Sequence, residues 1–170
     1  QKELAVRDDA MNGDYELFWV SIDPYNNKEG HFGFAVSSSG VLNDGYFTRE
    51  WNEDGFNYDT VFDAKISLNE NNWTVEMIIP YSAIRFPESE IQDWGINFSR
   101  RIRDFEESYT WNPTDIRTYS WPEQLGLVKD IKSVKPPLRL FLYPYLQSEL
   151  DVKKNHSSNL SYSAGLDLKY

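Results

Sequence analysis

The chain predicts an all-β fold of antiparallel strands, on three observations. Aromatic residues make up 16% of its 170 residues, with six Trp and eleven Tyr against a hydrophobic total of 40%. Such a bias favours strands, where flat and β-branched side chains pack on a pleated surface. Short stretches alternate apolar and polar residues, with turns rich in Asn, Asp, Gly and Ser between them, and no stretch carries the apolar period of a long helix. Several short strands at regular spacing are the pattern of an antiparallel sandwich.

From Tyr15, "YELFWVSID" is apolar on both parities and stops at the turn "DPYNNKEG", as a central strand covered on both faces does. "HFGFAVSSSG" follows, with Phe32, Phe34 and Val36 on one face and a Ser/Gly turn after it. A long polar loop carrying Phe47, Trp51, Phe56 and Tyr58 leads to "VFDAKISL", where Phe62, Ala64, Ile66 and Leu68 alternate with Asp63, Lys65 and Ser67. "NENN" is a turn, and "WTVEMIIP" sets Trp73, Val75, Met77 and Ile79 on one face until Pro80 ends the strand. "YSAIRF" has room for one helical turn. "WGINFSRRIR" is a strand with Trp94, Ile96 and Phe98 inward, and "SYTWNP" and "QLGLVKDI" are shorter candidates. Trp19, Trp73 and Trp94 sit in these strand patterns and are expected in the core.

At "SVKPPLRL", Pro136 and Pro137 make a stiff joint without N–H donors. A domain boundary is expected there, with residues 1–133 as the sandwich and 134–170 as the joint and a hairpin. "LRLFLYPYLQSEL" places Leu138, Leu140, Leu142, Pro144, Leu146 and Leu150 on one parity. In "SNLSYSAGLDLKY", Leu160, Tyr162, Ala164, Leu166, Leu168 and Tyr170 oppose Ser161, Ser163, Gly165, Asp167 and Lys169. Each stretch reaches the roughly 9 to 11 residues that a tilted strand needs to cross a bilayer. Read from the residues alone, this hairpin either packs on the sandwich or turns its apolar face to lipid.

A net charge of -10 and a pI of about 4.6 argue against nucleic acid as a partner, because phosphate binding depends on clustered Lys and Arg. Cysteine is absent, which excludes disulfides and thiolate chemistry. No apolar run approaches the roughly 20 residues of a membrane-spanning helix. The abrupt start at Gln1 leads us to expect that a leader and an early part precede it.

The run "NNWTVEMIIPYSAIRFPES" followed by "WGINFSRRIRDFEESYTWNP" resembles the carbohydrate-binding module family 9-like domain of a group of bacterial outer-membrane proteins. Upstream, "RDD", "FWVSIDPYNN" and "GFAVSSSGVLNDG" stand where that family has its arginine–aspartate step, a strand and a hairpin. The resemblance covers about residues 7 to 130. It implies a β-sandwich related to xylanase-associated sugar-binding modules, incomplete at its N-terminus, and joined to a β-barrel of undetermined function. It further implies that residues 138–170 are the first two strands of that outer-membrane barrel, which would continue beyond them. Two positions depart from the family pattern: Tyr58 and Phe62 in "NYDTVF" stand where the family tends to have Trp.

Sugar binding needs flat aromatic faces against C–H-rich pyranose surfaces and polar groups matched to hydroxyls. Loop candidates are Trp51 in "REWNED", Trp111 in "EESYTWNP" and Trp121 after Tyr119 in "TYSWPE", with Tyr58 added by the resemblance. Packing against the sheet edge is the other fate open to each Trp. Arg100, Arg103 and Glu107 match the family's R..R...E step and are either hydroxyl-binding groups or an ion-pair cluster. Asp23, Asn26, Asn27 and Glu29 offer oxygen ligands at short spacing for a structural Ca²⁺, which related modules bind, though Asp/Asn-rich turns are more often only turns. No other cofactor is expected.

No carboxylate pair stands in a recognisable acid-and-nucleophile setting, and neither His31 nor His156 pairs with a nucleophile, so no catalytic residues are expected. The expected function is a non-catalytic carbohydrate-binding domain of an outer-membrane protein, with the sandwich in the periplasm or at the cell surface. The alternative is a structural or protein-interaction sandwich that meets other envelope proteins and binds no sugar.

Overall fold

In the computed structural model the described residues are 16–50, 53–70, 72–103, 105–115, 117–137, 141–151 and 159–169. They form ten strands: β1 (Leu17–Asp23), β2 (Gly30–Ser37), β3 (Leu42–Thr48), β4 (Asp63–Leu68), β5 (Trp73–Ile78), β6 (Ile91–Ile102), β7 (Glu107–Thr110), β8 (Gly126–Lys132), β9 (Phe141–Asp151) and β10 (Asn159–Lys169). Every pairing is antiparallel. The only helical pieces described are three short 3-10 turns, at Glu53–Asn57, Tyr81–Ala83 and Trp121–Gln124.

The chain divides into two units, residues 1–136 and 137–170. The first holds a six-stranded sheet of order β3-β2-β1-β6-β7, in which β8 also pairs with β6, and a separate β4–β5 hairpin. Central β1 is apolar on both parities because both its faces are covered. Phe18, Val20 and Ile22 share one face with Phe32, Phe34, Trp94, Ile96 and Phe98, and Phe34 is 0% exposed. Against this core face lie Met77 and Ile79 at β5, the buried Ala83, Ile84 and Phe86 after it, and Phe62. Contacts of this kind are worth roughly 1.5–3 kcal/mol for each large side chain removed from water.

Turn chemistry fixes the connections. Asp23 closes the β1–β2 turn by accepting the N–H groups of Tyr25 at 3.1 Å and Lys28 at 3.0 Å. The Ser37 hydroxyl accepts the Val41 N–H at 3.0 Å, and Gly40, at φ +86°, makes the left-handed step into β3. Side-chain and backbone bonds between Asn69 and Asn72 close the β4–β5 hairpin.

Three expectations change. The stretch read as a long loop after Gly40 contains β3, whose Asn43 and Asp44 are buried polar residues that mask the strand pattern. The strand expected from Trp94 begins at Ile91 and carries a bulge beside Asp93, whose carboxylate accepts the Asp130 N–H at 3.0 Å. Of the three strand tryptophans, Trp94 belongs to the core, whereas Trp19 and Trp73 are half-buried and lie outside it.

The second unit is the hairpin of β9 and β10. Its register sets Leu142 opposite Leu168, Pro144 opposite Leu166, Leu146 opposite Ala164 and Leu150 opposite Leu160. Directly opposed residues share a face, so both apolar parities point to the same side. Within the unit, Leu146 on that side is 79% exposed. On the other side the Tyr145 ring lies over Gly165, its cross-strand partner, where a Cβ has no room.

Candidate functional site

The second face of the large sheet carries a cleft of about 460 Å³. Its floor comes from the parity opposite to the core: Leu17 and Trp19 of β1, His31 of β2, Phe47 of β3, Ser99 and Arg101 of β6, and Ser108 of β7. Gly33 and Gly45 are direct cross-strand partners on this face. The Trp19 indole lies over Gly33 and the Phe47 ring over Gly45, positions that a Cβ would fill. The two rings tilt together at 5.5 Å. Two missing side chains therefore let an indole lie against the sheet instead of standing up from it.

The loop between β7 and β8 supplies the wall, with Tyr119, Ser120 and Trp121. Asn97, fully buried on the cleft face of β6, anchors that loop: its side chain accepts the Asn112 N–H at 2.9 Å and donates to the Asn112 carbonyl at 3.2 Å. Asn112 in turn donates to the Gln124 carbonyl at 2.7 Å, and the Gln124 amide donates to the Tyr119 carbonyl at 3.1 Å. Ser120 and Glu123 form a capping box at the Trp121–Gln124 turn. Hydrogen bonds from the Ser120 hydroxyl and N–H, and then the Arg49 guanidinium, hold Glu123 below the usual carboxylate range. Arg49 meets Glu123 at 2.6 Å.

One oxygen ties the two tryptophans together. Ser21 Oγ, fully buried on β1, accepts the Trp19 indole N–H at 3.1 Å and that of Trp121 at 2.8 Å. Below them His31 is buried beside Phe47, with Nδ1 unpartnered among the described residues. Burial pushes its pKa down to about 4, which leaves the ring neutral near pH 7.

Of the residues expected to bind sugar, Trp121 is in the cleft and Trp51 lies outside the described residues. Tyr58 packs on Phe32 at 5.2 Å and donates to the Ala83 carbonyl at 3.0 Å, on the core side. Arg100 has the parity opposite to the cleft; its guanidinium bonds Glu16 at 3.1 Å and sits 5.8 Å from the Trp73 ring. Glu107 accepts the Tyr109 hydroxyl at 2.7 Å, also away from the cleft, and Arg103 follows the end of β6. Trp111, 60% exposed, rests on Gly126 and meets Phe98 edge-on at 6.0 Å.

At the candidate cation turn, both Asp23 oxygens accept backbone N–H groups, and Asn27 Oδ1 accepts the Glu29 N–H at 3.1 Å. Burial raises the Asp23 pKa against the lowering by those backbone donors. These oxygens organise the turn, and among the described residues no group of three or more His, Cys, Asp or Glu is placed to hold a metal ion. Sequence reasoning missed Trp19, Arg101, Ser99 and Ser108; the signal for them was strand parity, since Ser99 and Arg101 alternate with the core residue Phe98. The chain matches no protein-family model, no curated protein and no solved structure.

Proposed function

We propose that this chain is the non-catalytic, carbohydrate-binding part of a bacterial outer-membrane β-barrel protein, with the cleft on the large sheet as its sugar site. One observation carries the reading: Trp19 and Trp121, tied to a shared acceptor, line a cleft of about 460 Å³ together with Arg, Ser and Thr side chains. Aromatic surface suits the C–H faces of a pyranose, while guanidinium and hydroxyl groups suit its hydroxyls. The volume falls in the range of roughly 300–1,000 Å³ common to small-molecule pockets.

The reading takes the large sheet and the β4–β5 hairpin as the layers of a sandwich like that of the family 9-like modules. It takes residues 138–170 as the opening strands of the barrel. In support of the barrel, β9 and β10 are each 11 residues long and their leucines gather on one face. Titration of the whole chain with xylo- and cello-oligosaccharides tests the sugar site: binding in the micromolar-to-millimolar range is expected, and Trp121→Ala should remove it. No binding at about millimolar sugar would leave the interaction-domain reading ahead. Extraction of the natural protein tests the barrel. Recovery of a 170-residue product without detergent would sink it.

A further inference from the structure

The charge of the cleft does not follow that of the chain. The protein has 27 acidic and 17 basic residues, yet among the described residues the charged side chains lining the cleft are Arg49 and Arg101. Arg49 is already paired with Glu123. Arg101 is joined to no carboxylate among the described residues, whereas its neighbour Arg100 reaches Glu16 on the other face. Arg101 is half-buried, directly opposite Ser108 on one side and Leu17 on the other, with Ser99 two residues earlier on the same face. His31 is neutral near pH 7 and supplies no charge there. A partly desolvated guanidinium in an aromatic cleft, joined to no carboxylate among the described residues, is a place for an anion.

We propose that the cleft is selective for an acidic saccharide, with a hexuronate carboxylate held by Arg101, Ser99 and Ser108 while its ring lies between Trp19 and Trp121. This rests on the sugar-binding reading above and specifies its ligand class. A guanidinium fork matches a planar carboxylate with two parallel hydrogen bonds, and the two hydroxyls can serve the remaining lone pairs. In a hexuronate the carboxylate is attached directly to the ring, so the ionic and aromatic contacts are made together.

The test is calorimetric titration of the whole chain with trigalacturonate, its methyl ester and cellotriose at about 150 mM salt, where distant charges are screened. The acid should bind at least about tenfold more tightly than the ester. Arg101→Gln should bring the acid to the level of the ester, and Arg101→Lys, which keeps the charge but not the fork, should retain part of the preference. Equal affinity of the unmodified protein for acid and ester overturns the proposal and leaves the sugar site standing, as does a preference that survives Arg101→Gln. Failure of all three ligands to bind overturns both. The acid-to-ester comparison needs no variant, so it decides the matter even if an Arg101 variant folds poorly.

Discussion

Ser21→Ala takes away one oxygen and, with it, two hydrogen bonds. The Ser21 side chain is fully buried and accepts from Trp19 at 3.1 Å and from Trp121 at 2.8 Å. Alanine leaves both indole N–H groups without an acceptor, at about 1–3 kcal/mol for each group that water cannot reach. Both indoles are half-buried, so water recovers part of this, and the lower part of the range applies: roughly 1–2 kcal/mol each, or about 2–4 kcal/mol together. Urea denaturation followed by tryptophan fluorescence reads the loss as a lower midpoint at unchanged slope. Sugar titration of the same variant reads the loss of the tie between the indoles, expected at about tenfold in affinity. A cost below about 0.5 kcal/mol with binding intact would refute the claim that this hydroxyl holds the two indoles in place.

Trp19→Ala should weaken sugar binding by about 1–3 kcal/mol, whereas Trp111→Ala, which removes a ring outside the cleft, should leave it unchanged; the reverse pattern in titrations places the site elsewhere. Asn97→Ala cuts the anchor of the loop that carries Tyr119 and Trp121, so a stability loss of roughly 1–3 kcal/mol should come with faster amide exchange in residues 112–124, and an unchanged exchange rate counts against that anchor. His31 has a folded pKa of about 4 against an ordinary 6.5, so its contribution costs nothing above pH 6.5. Between those values only the unfolded chain takes up the proton, and stability falls with falling pH by up to roughly 3 kcal/mol. Urea melts across that window should show a shallower slope for His31→Gln; an identical slope would argue against a buried neutral ring. Phe34→Ala, at a 0% exposed position, should cost about 3–5 kcal/mol, and an unchanged melting temperature would show the core assigned to the wrong face.

How far the sequence carried depended on whether a feature is local. The alternation in "VFDAKISL" and "WTVEMIIP" shows in the half-buried Ala64, Ile66, Val75 and Met77 between exposed neighbours, because that pattern needs no knowledge of a partner strand, although Leu68 at the end of β4 is exposed. β3 was hidden because Asn43 and Asp44 look like loop residues, although Asp44 is buried and accepts the Thr60 N–H at 2.7 Å. Trp19 looked like core because alternation reports a face but not what covers it; Gly33, which makes room for the indole, comes from another strand. Motif spacing picked Arg100, and the cleft holds Arg101. Side chains alternate faces along a strand, so an assignment off by one residue points to the wrong side of the sheet. The position of Trp121 follows from Asn97, more than twenty residues away, and from contacts that no local pattern announces.

The long strand β6 lends one edge to two partners, β8 along its first half and β7 along its last four residues. Fraying of β8 from its final pair, Lys132 opposite Ile91, runs toward Gly126 opposite Ile96 and has no further rung beyond it. Ser99 and Arg101, with Thr110 and Ser108 as their β7 partners, lie past that point, so the rungs that hold the cleft floor are separate from those that hold β8.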